Sequence, residues 1–204
     1  VPDGGLGLIY NFIYAIAFRY RKPRVVWLHH RNYRNVKRGS LMLRYLCFLV
    51  GKNGRHIFLT AGMKKEFQAR IAPARGSLVI GNAATCDVNT AKTVARSGAG
   101  VAVGFLSNLN NDKGFDIVAT AFVKLPQKNS NVTRFLVAGL PGNDDAKRRA
   151  LWLERSLRDK VKMLGHVSGA SKEAFFADID IFVFPTTYKL EAQPNVILEA
   201  MASS

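Results

Sequence analysis

Short apolar runs of strand length alternate along this chain with stretches of helical period, and few folds accommodate that order. The runs at 24–28, 56–59, 77–80, 100–105, 133–138, 161–164 and 179–184 read as strands. Residues 6–20, 40–52, 63–72, 114–124, 144–158 and 171–177 read as helices, and a last helix opens at Pro194 and runs to the end. The alternation predicts an α/β protein with parallel sheets. No internal repeat interrupts it.

From Gly81 to Gly100 the text GNAATCDVNTAKTVARSGAG has no sustained apolar period and many small or turn-forming residues, which marks a domain boundary. Residues 1–85 are then one domain, 86–99 a linker and 100–204 a second domain. Charge divides near the same place. Residues 1–75 carry 15 Lys and Arg against only Asp3 and Glu66, while 76–204 carry 15 against 12 acidic residues, so most of the net +16 belongs to the first third. That excess predicts attraction to something polyanionic, whether nucleic acid, an anionic lipid surface or phosphorylated ligands. Hydrophobic residues make up 48% of the chain, which excludes intrinsic disorder.

Cys47, inside LRYLCFLV, and Cys86, in a polar loop, fit no disulfide framework or metal spacing and are compatible with a reducing compartment. The apolar stretch 6–18 is broken by Asn11 and stops at RYRKPR, short of the ~20 residues that span a bilayer. The chain starts at Val1 and ends on ILEAMASS in mid-helix, so the reading expects a piece of something longer.

The densest chemistry lies in IFVFPTTYKLEAQPNVILEAMA. A buried strand runs into a loop carrying Glu191, and a second carboxylate, Glu199, follows eight positions later inside the helix. Val196, Ile197, Ala200 and Met201 are expected to form the stripe that faces the sheet, with Asn195 and Glu199 sharing another face. First-turn N–H groups at Asn195, Val196 and Ile197 lack intrahelical partners and so offer an anion site at the carboxyl end of a strand. A carboxylate on either side of such a helix start can accept sugar hydroxyls.

Taken together the segment resembles the E-x7-E signature of the retaining glycosyltransferases of the GT-B fold, the group 1 family, in the variant where EAQP replaces EGFP. VAVGFLSNLNNDKGFD resembles the family's strand, loop and Lys-Gly element, FLVAGLPGND its next strand and glycine turn, and VKMLGHVSGASKEAFFADIDIFVFP the approach to the site. VVWLHHRNYR, HIFLTAGMKKEF and GSLVIGNAATCDVN look like the end of the acceptor-side domain. The resemblance implies two Rossmann-like parallel-sheet domains, both incomplete in this chain, with the acceptor-side part in 1–85 and the nucleotide-sugar domain in 100–204.

It also implies roles. Glu199 would hold the ribose hydroxyls of the donor, Glu191 would contact hydroxyls of the transferred sugar, and Lys113 would neutralise the donor pyrophosphate. Asn195 and Val196 would supply backbone N–H groups there, the backbone at His166 and Val167 would meet the base, and His30 matches a histidine on the acceptor side. Phe105 departs from the pattern, standing where the family commonly has Arg. No metal and no cofactor are implied, the nucleotide diphosphate-sugar being a substrate. The expected acceptor is a sugar or a lipid-linked sugar in glycan or cell-envelope synthesis, with the protein cytoplasmic and peripheral at an anionic membrane. This piece alone is expected to be inactive.

Other features carry less. Asp178 with Asp180, and Asp144 with Asp145, resemble metal-binding acidic pairs but sit at a strand edge and a helix start. His29 and His56 at strand ends read as structural. The rival reading is a basic module that binds nucleic acid or anionic membrane without catalysis, although the chain has no zinc-finger spacing, RNP-like run or heptad-linked basic helix.

Overall fold

Every strand pairing among the described residues is parallel, as the alternation predicts, and the strands form two separate sheets. The computed structural model describes residues 6–21, 25–30, 41–85, 100–128, 131–189 and 191–203. Residues 86–99, the expected linker with Cys86, lie outside them, as do Lys22 and Arg24. The chain divides into two units, Val1–Thr85 with Lys189–Pro194, and Cys86–Tyr188 with Asn195–Ser204.

The first unit contains α1 (Leu6–Arg21), β1 (Val26–His29), α2 (Leu41–Val50), β2 (Gly54–Phe58), α3 (Ala61–Arg70) and β3 (Ser77–Val79), with strand order β1-β2-β3. Alternate residues of β2 point into the core, where Phe58 meets Leu43 and Leu46 of α2 and Met63 and Phe67 of α3. The start of α3 falls two residues before the apolar period suggests. Thr60 is extended and its Oγ1 accepts from Met63 N at 3.1 Å, so an N-cap rather than the hydrophobic pattern sets that boundary. Cys47 is half-buried here, and burial pushes its thiol up to about 11, which makes it an unreactive packing residue.

The second unit has β4 (Val101–Leu106), α4 (Phe115–Lys128), β5 (Val132–Ala138), α5 (Asp144–Leu157), β6 (Val161–Gly165), α6 (Ala170–Ala177), β7 (Ile181–Phe182) and α7 (Asn195–Ala202), with strand order β6-β5-β4-β7. One core, centred on Phe105, Phe115, Phe122, Phe135 and Leu153, lies under α4 and α5. The other brings Phe175 and Phe176 of α6 and Val196 and Ala200 of α7 onto Ala102, Leu136 and Ala138. Asn143 caps α5 by accepting from Ala146 N at 2.8 Å, and Asp144 and Asp145 then sit in its first turn, where the helix dipole favours them.

Other elements, in the second unit, also differ from the sequence reading. The strand expected over 179–184 pairs only at Ile181–Phe182, framed by Asp180 N donating to Ala102 O and Val183 N donating to Gly104 O, both at 2.9 Å. Glycine at 104 leaves room on the sheet face for the side chains of Ile179 and Phe175, which a Cβ there would meet at 2.7 and 2.9 Å. Helix α4 runs past Lys124 to Lys128 although Pro126, inside its last turn, supplies no N–H to the i→i−4 ladder. On α7 the stripe facing the sheet is Val196 and Ala200, four apart, whereas Met201 is 69% exposed; one residue further on turns the side chain through about 100°.

Candidate functional site

The site residues of the second unit lie after the carboxyl ends of β4, β6 and β7. Beyond β4 the chain crosses to the turn after β5, with Leu109 N donating to Leu140 O at 3.0 Å, and winds into a turn of 3-10 helix at Asn111–Lys113. Gly114 ends that turn at φ +82° and is buried; a Cβ on it would strike the carbonyl of Pro185, so only glycine allows the loop after β7 to lie against it. Thr187 N donates to Asp112 O at 2.9 Å and Thr186 Oγ1 to the same oxygen at 3.2 Å. The Lys113 turn and the loop after β7 are thereby fixed to each other.

Lys113 Nζ lies 4.6 Å from the centroid of the Tyr188 ring, within cation–π range. Tyr188 escapes the sequence reading, which has no periodicity to work with in TTYKLEA. Phe105, where the family pattern has Arg, is fully buried against Phe115 and Phe184 at centroid distances of 5.9 and 6.4 Å. It supplies core and no charge.

After β6, Gly165 takes φ +65° and its carbonyl accepts from Gly139 N at 2.7 Å, tying the β5 and β6 ends together. His166 is exposed, Val167 packs half-buried on the α6–α7 core, and Ser171 Oγ closes the start of α6 by accepting from Ser168 N at 2.9 Å. On α7 Asn195 is exposed and Val196 half-buried. Glu199 is half-buried, and its Oε1 accepts from Lys172 Nζ of α6 at 2.7 Å. Lys172 is a second residue that the sequence reading misses, because a bond across 27 positions leaves no local signature.

Glu191 groups with the first unit, although the sequence reading assigns all of 100–204 to one domain. Its neighbours explain the grouping. Ala192 packs against the first unit's core, Asn82 N donates to Gln193 Oε1 at 2.6 Å, and Asn82 Nδ2 donates to Gln193 O at 2.8 Å. The two glutamates of the eight-residue spacing thus belong to different units, Glu191 to the first and Glu199 to the second.

His30, in the first unit, is 1% exposed. Its Nε2 lies 2.8 Å from Nδ1 of His56, and its ring stacks on Phe58 at 4.6 Å and leans on Phe67 at 4.4 Å. Burial, with the neighbouring His56 adding to it, lowers the His30 pKa to about 3, and burial lowers His56 as well. Both rings are neutral at pH 7, one donating and the other accepting. The acidic pairs have structural partners: Asp180 Oδ2 accepts from Ala102 N at 2.7 Å and Asp178 pairs with Arg134 at 2.7 Å. Among the described residues no group of three or more His, Cys, Asp or Glu is placed to hold a metal ion.

Residues 93–204 match the family model for glycosyl transferases group 1. No curated protein matches the chain. Among solved structures, Anabaena HepE in complex with UDP is similar at TM-score 0.72 and 20% identity over 96% of this chain and 56% of that one. A mutant of S. aureus TarM in complex with Fondaparinux, alpha-GlcNAc-glycerol and UDP is similar at TM-score 0.63 and 18% identity, over 87% of this chain and 34% of that one. The pneumococcal O-GlcNAc transferase GtfA in complex with UDP and GlcNAc gives TM-score 0.63 at 13% identity, over 88% and 36%. The chain spans about half the length of HepE and about a third of the other two. The fold is the parallel-sheet α/β fold of the GT-B glycosyltransferases. With the family profile covering the whole stretch from before β4 to the last residue, the chain belongs to the group 1 glycosyltransferases.

Proposed function

We propose that this chain is part of an enzyme that moves a sugar from a nucleotide diphosphate-sugar to an acceptor with retention at the anomeric carbon. The observation that carries the proposal is the family match over 93–204, and UDP in the similar structures supports a nucleotide donor. In this reading Glu199 accepts the ribose hydroxyls, the backbone at His166 and Val167 meets the base, and Glu191 contacts the transferred sugar. His30 serves the acceptor side through the wall it helps build.

The leaving group is a nucleoside diphosphate, so charge grows on its phosphate oxygens as the glycosidic bond lengthens. Lys113 and the first-turn N–H groups at Asn195 and Val196 supply positive potential to stabilise that charge in the transition state. Tyr188 under the ammonium restrains Lys113. The acceptor is a sugar or lipid-linked sugar of glycan or cell-envelope synthesis.

Peripheral attachment to an anionic membrane at the cytoplasmic face belongs to the same proposal. Its support is the +13 excess of residues 1–75 together with exposed Ile9, Ile13 and Tyr14 on α1 and Leu41, Tyr45 and Phe48 on α2. No helix among the described residues is long and apolar enough to cross a membrane.

The test is sugar transfer from a panel of UDP- and GDP-sugars, with the anomeric configuration of the product read by NMR. A product with the donor's configuration is expected. An inverted product overturns the retaining assignment, and no transfer from any donor by the full-length protein overturns the reaction.

A further inference from the structure

Glu199 does not stand alone on α7. Lys172, in the first turn of α6, reaches its Oε1 at 2.7 Å, and the two side chains are only 33% and 28% exposed. Both helices are fixed to one core, α6 through Phe175 and Phe176 and α7 through Val196 and Ala200, so the backbones that bring the pair together are held by packing. Among the described residues Oε2 of Glu199 has no protein partner.

A carboxylate offers about four lone-pair sites. Lys172 occupies one and leaves the remainder, on both oxygens, for hydroxyl donors. The ammonium also restricts the rotation of a side chain that would otherwise sample several rotamers. A vicinal diol is the ligand such a fixed carboxylate suits, because two hydroxyls on adjacent carbons can donate to its two oxygens together.

We propose that Lys172 is a positioning residue: it holds the Glu199 carboxylate in place for the ribose diol and thereby sets the preference of the site for ribonucleotides over 2′-deoxyribonucleotides. The inference rests on the reading of Glu199 as the ribose acceptor. An exposed ion pair of ordinary surface character would contribute nothing of the kind, and a lysine acting directly on the phosphates would strengthen both sugars equally.

The experiment is calorimetric titration of the full-length protein with UDP and with 2′-deoxy-UDP, in the wild type, Lys172→Met, Lys172→Arg, Glu199→Gln and the Met/Gln double variant. Lys172→Met is expected to weaken UDP about tenfold and 2′-deoxy-UDP much less, so that the ratio of the two affinities shrinks. Lys172→Arg, which keeps a cation, retains most of that ratio. In the Glu199→Gln background Lys172→Met leaves the ratio unchanged. Because both ligands are measured on one sample, partial unfolding of a variant does not alter the ratio.

An unchanged ratio in Lys172→Met, with affinities equal to wild type or with both lowered alike, overturns the positioning role. Two failures separate cleanly. If Glu199→Gln binds UDP as the wild type does, the assignment of Glu199 itself falls; if Glu199→Gln weakens UDP while Lys172→Met behaves as wild type, only the role of Lys172 falls.

Discussion

Glu199 and Glu191 do different work in the proposed reaction, and an isosteric amide separates them. Glu199→Gln should weaken the free nucleoside diphosphate by about 1.5–3 kcal/mol, through the loss of charge-assisted hydrogen bonds to ribose. Glu191→Gln should leave that affinity nearly intact and lower the rate of transfer, since its partner is the sugar. Calorimetry with the diphosphate and rates with the intact donor measure the two effects, and equal diphosphate affinity in wild type and Glu199→Gln would remove the ribose assignment. The His30–His56 pair makes a prediction about pH. Its folded-state pKa values lie below the ordinary histidine value, to about 3 for His30, so the unfolded chain takes up protons first as pH falls. Stability of the first unit is therefore full above about pH 6.5 and declines as pH falls from there toward about 3 for His30, by up to about 1.4 kcal/mol per pH unit, with His56 adding to the loss in the same direction. Urea midpoints at pH 7 and pH 5, read from Trp27 emission in a Trp152→Phe background, should show the loss. The double variant His30→Phe with His56→Leu should flatten it, whereas His56→Leu alone strands a buried imidazole at a cost of about 1–3 kcal/mol.

At the scale of elements, the turn joining β4 to α4 depends on Gly114. An L-residue in its left-handed conformation costs about 1–2 kcal/mol, and here the added Cβ also meets backbone of the loop after β7. Gly114→Ala should therefore lower the melting temperature of the second unit and, by displacing Lys113, weaken nucleoside diphosphate as well. A variant that melts lower yet binds as wild type would show that Lys113 is not held by this turn. Helix α7 makes a complementary case. Met201→Gln changes an exposed position and should move stability by no more than about 0.5 kcal/mol, while Ala200→Leu forces methyl groups into the core beside Phe175 and should cost about 1–3 kcal/mol. Thermal melts of the two variants decide which face of α7 is the packed one.

Over the whole molecule the uneven charge is the property that no single element explains. Each cation near an anionic bilayer is worth about 1 kcal/mol, and the attraction falls off within a Debye length, about 10 Å at 0.1 M salt. Co-sedimentation with anionic vesicles should accordingly be strong at low salt and fall steeply as salt rises, with little binding to neutral vesicles. Binding that ignores salt, or that is equal on both vesicle types, would assign the charge to solvation alone. A sequence-dependent preference for RNA over vesicles would favour the polyanion reading that composition leaves open.

The sequence alone determined the class of fold, because period-2 and period-3.6 patterns are local and report directly which residues must face a sheet or a helix stripe. It also singled out Glu191, Asn195, Val196 and Glu199 as candidates, since the motif that contains them is continuous in the chain, and Lys113 through a separate Lys-Gly element. Boundaries were less legible where something other than periodicity sets them: Thr60 starts α3 by capping, and β7 pairs with β4 only at Ile181 and Phe182 although the apolar run is longer. Tertiary structure alone decided the partners. Lys172 finds Glu199 across 27 residues, Tyr188 lies under Lys113, His56 takes up His30, and Gln193 bonds to Asn82 across 111 residues and draws the segment around Glu191 into the first unit. Each of these depends on distances between elements that no local pattern encodes, because hydrogen bonds and ion pairs act over a few ångströms of space irrespective of the length of chain between their ends.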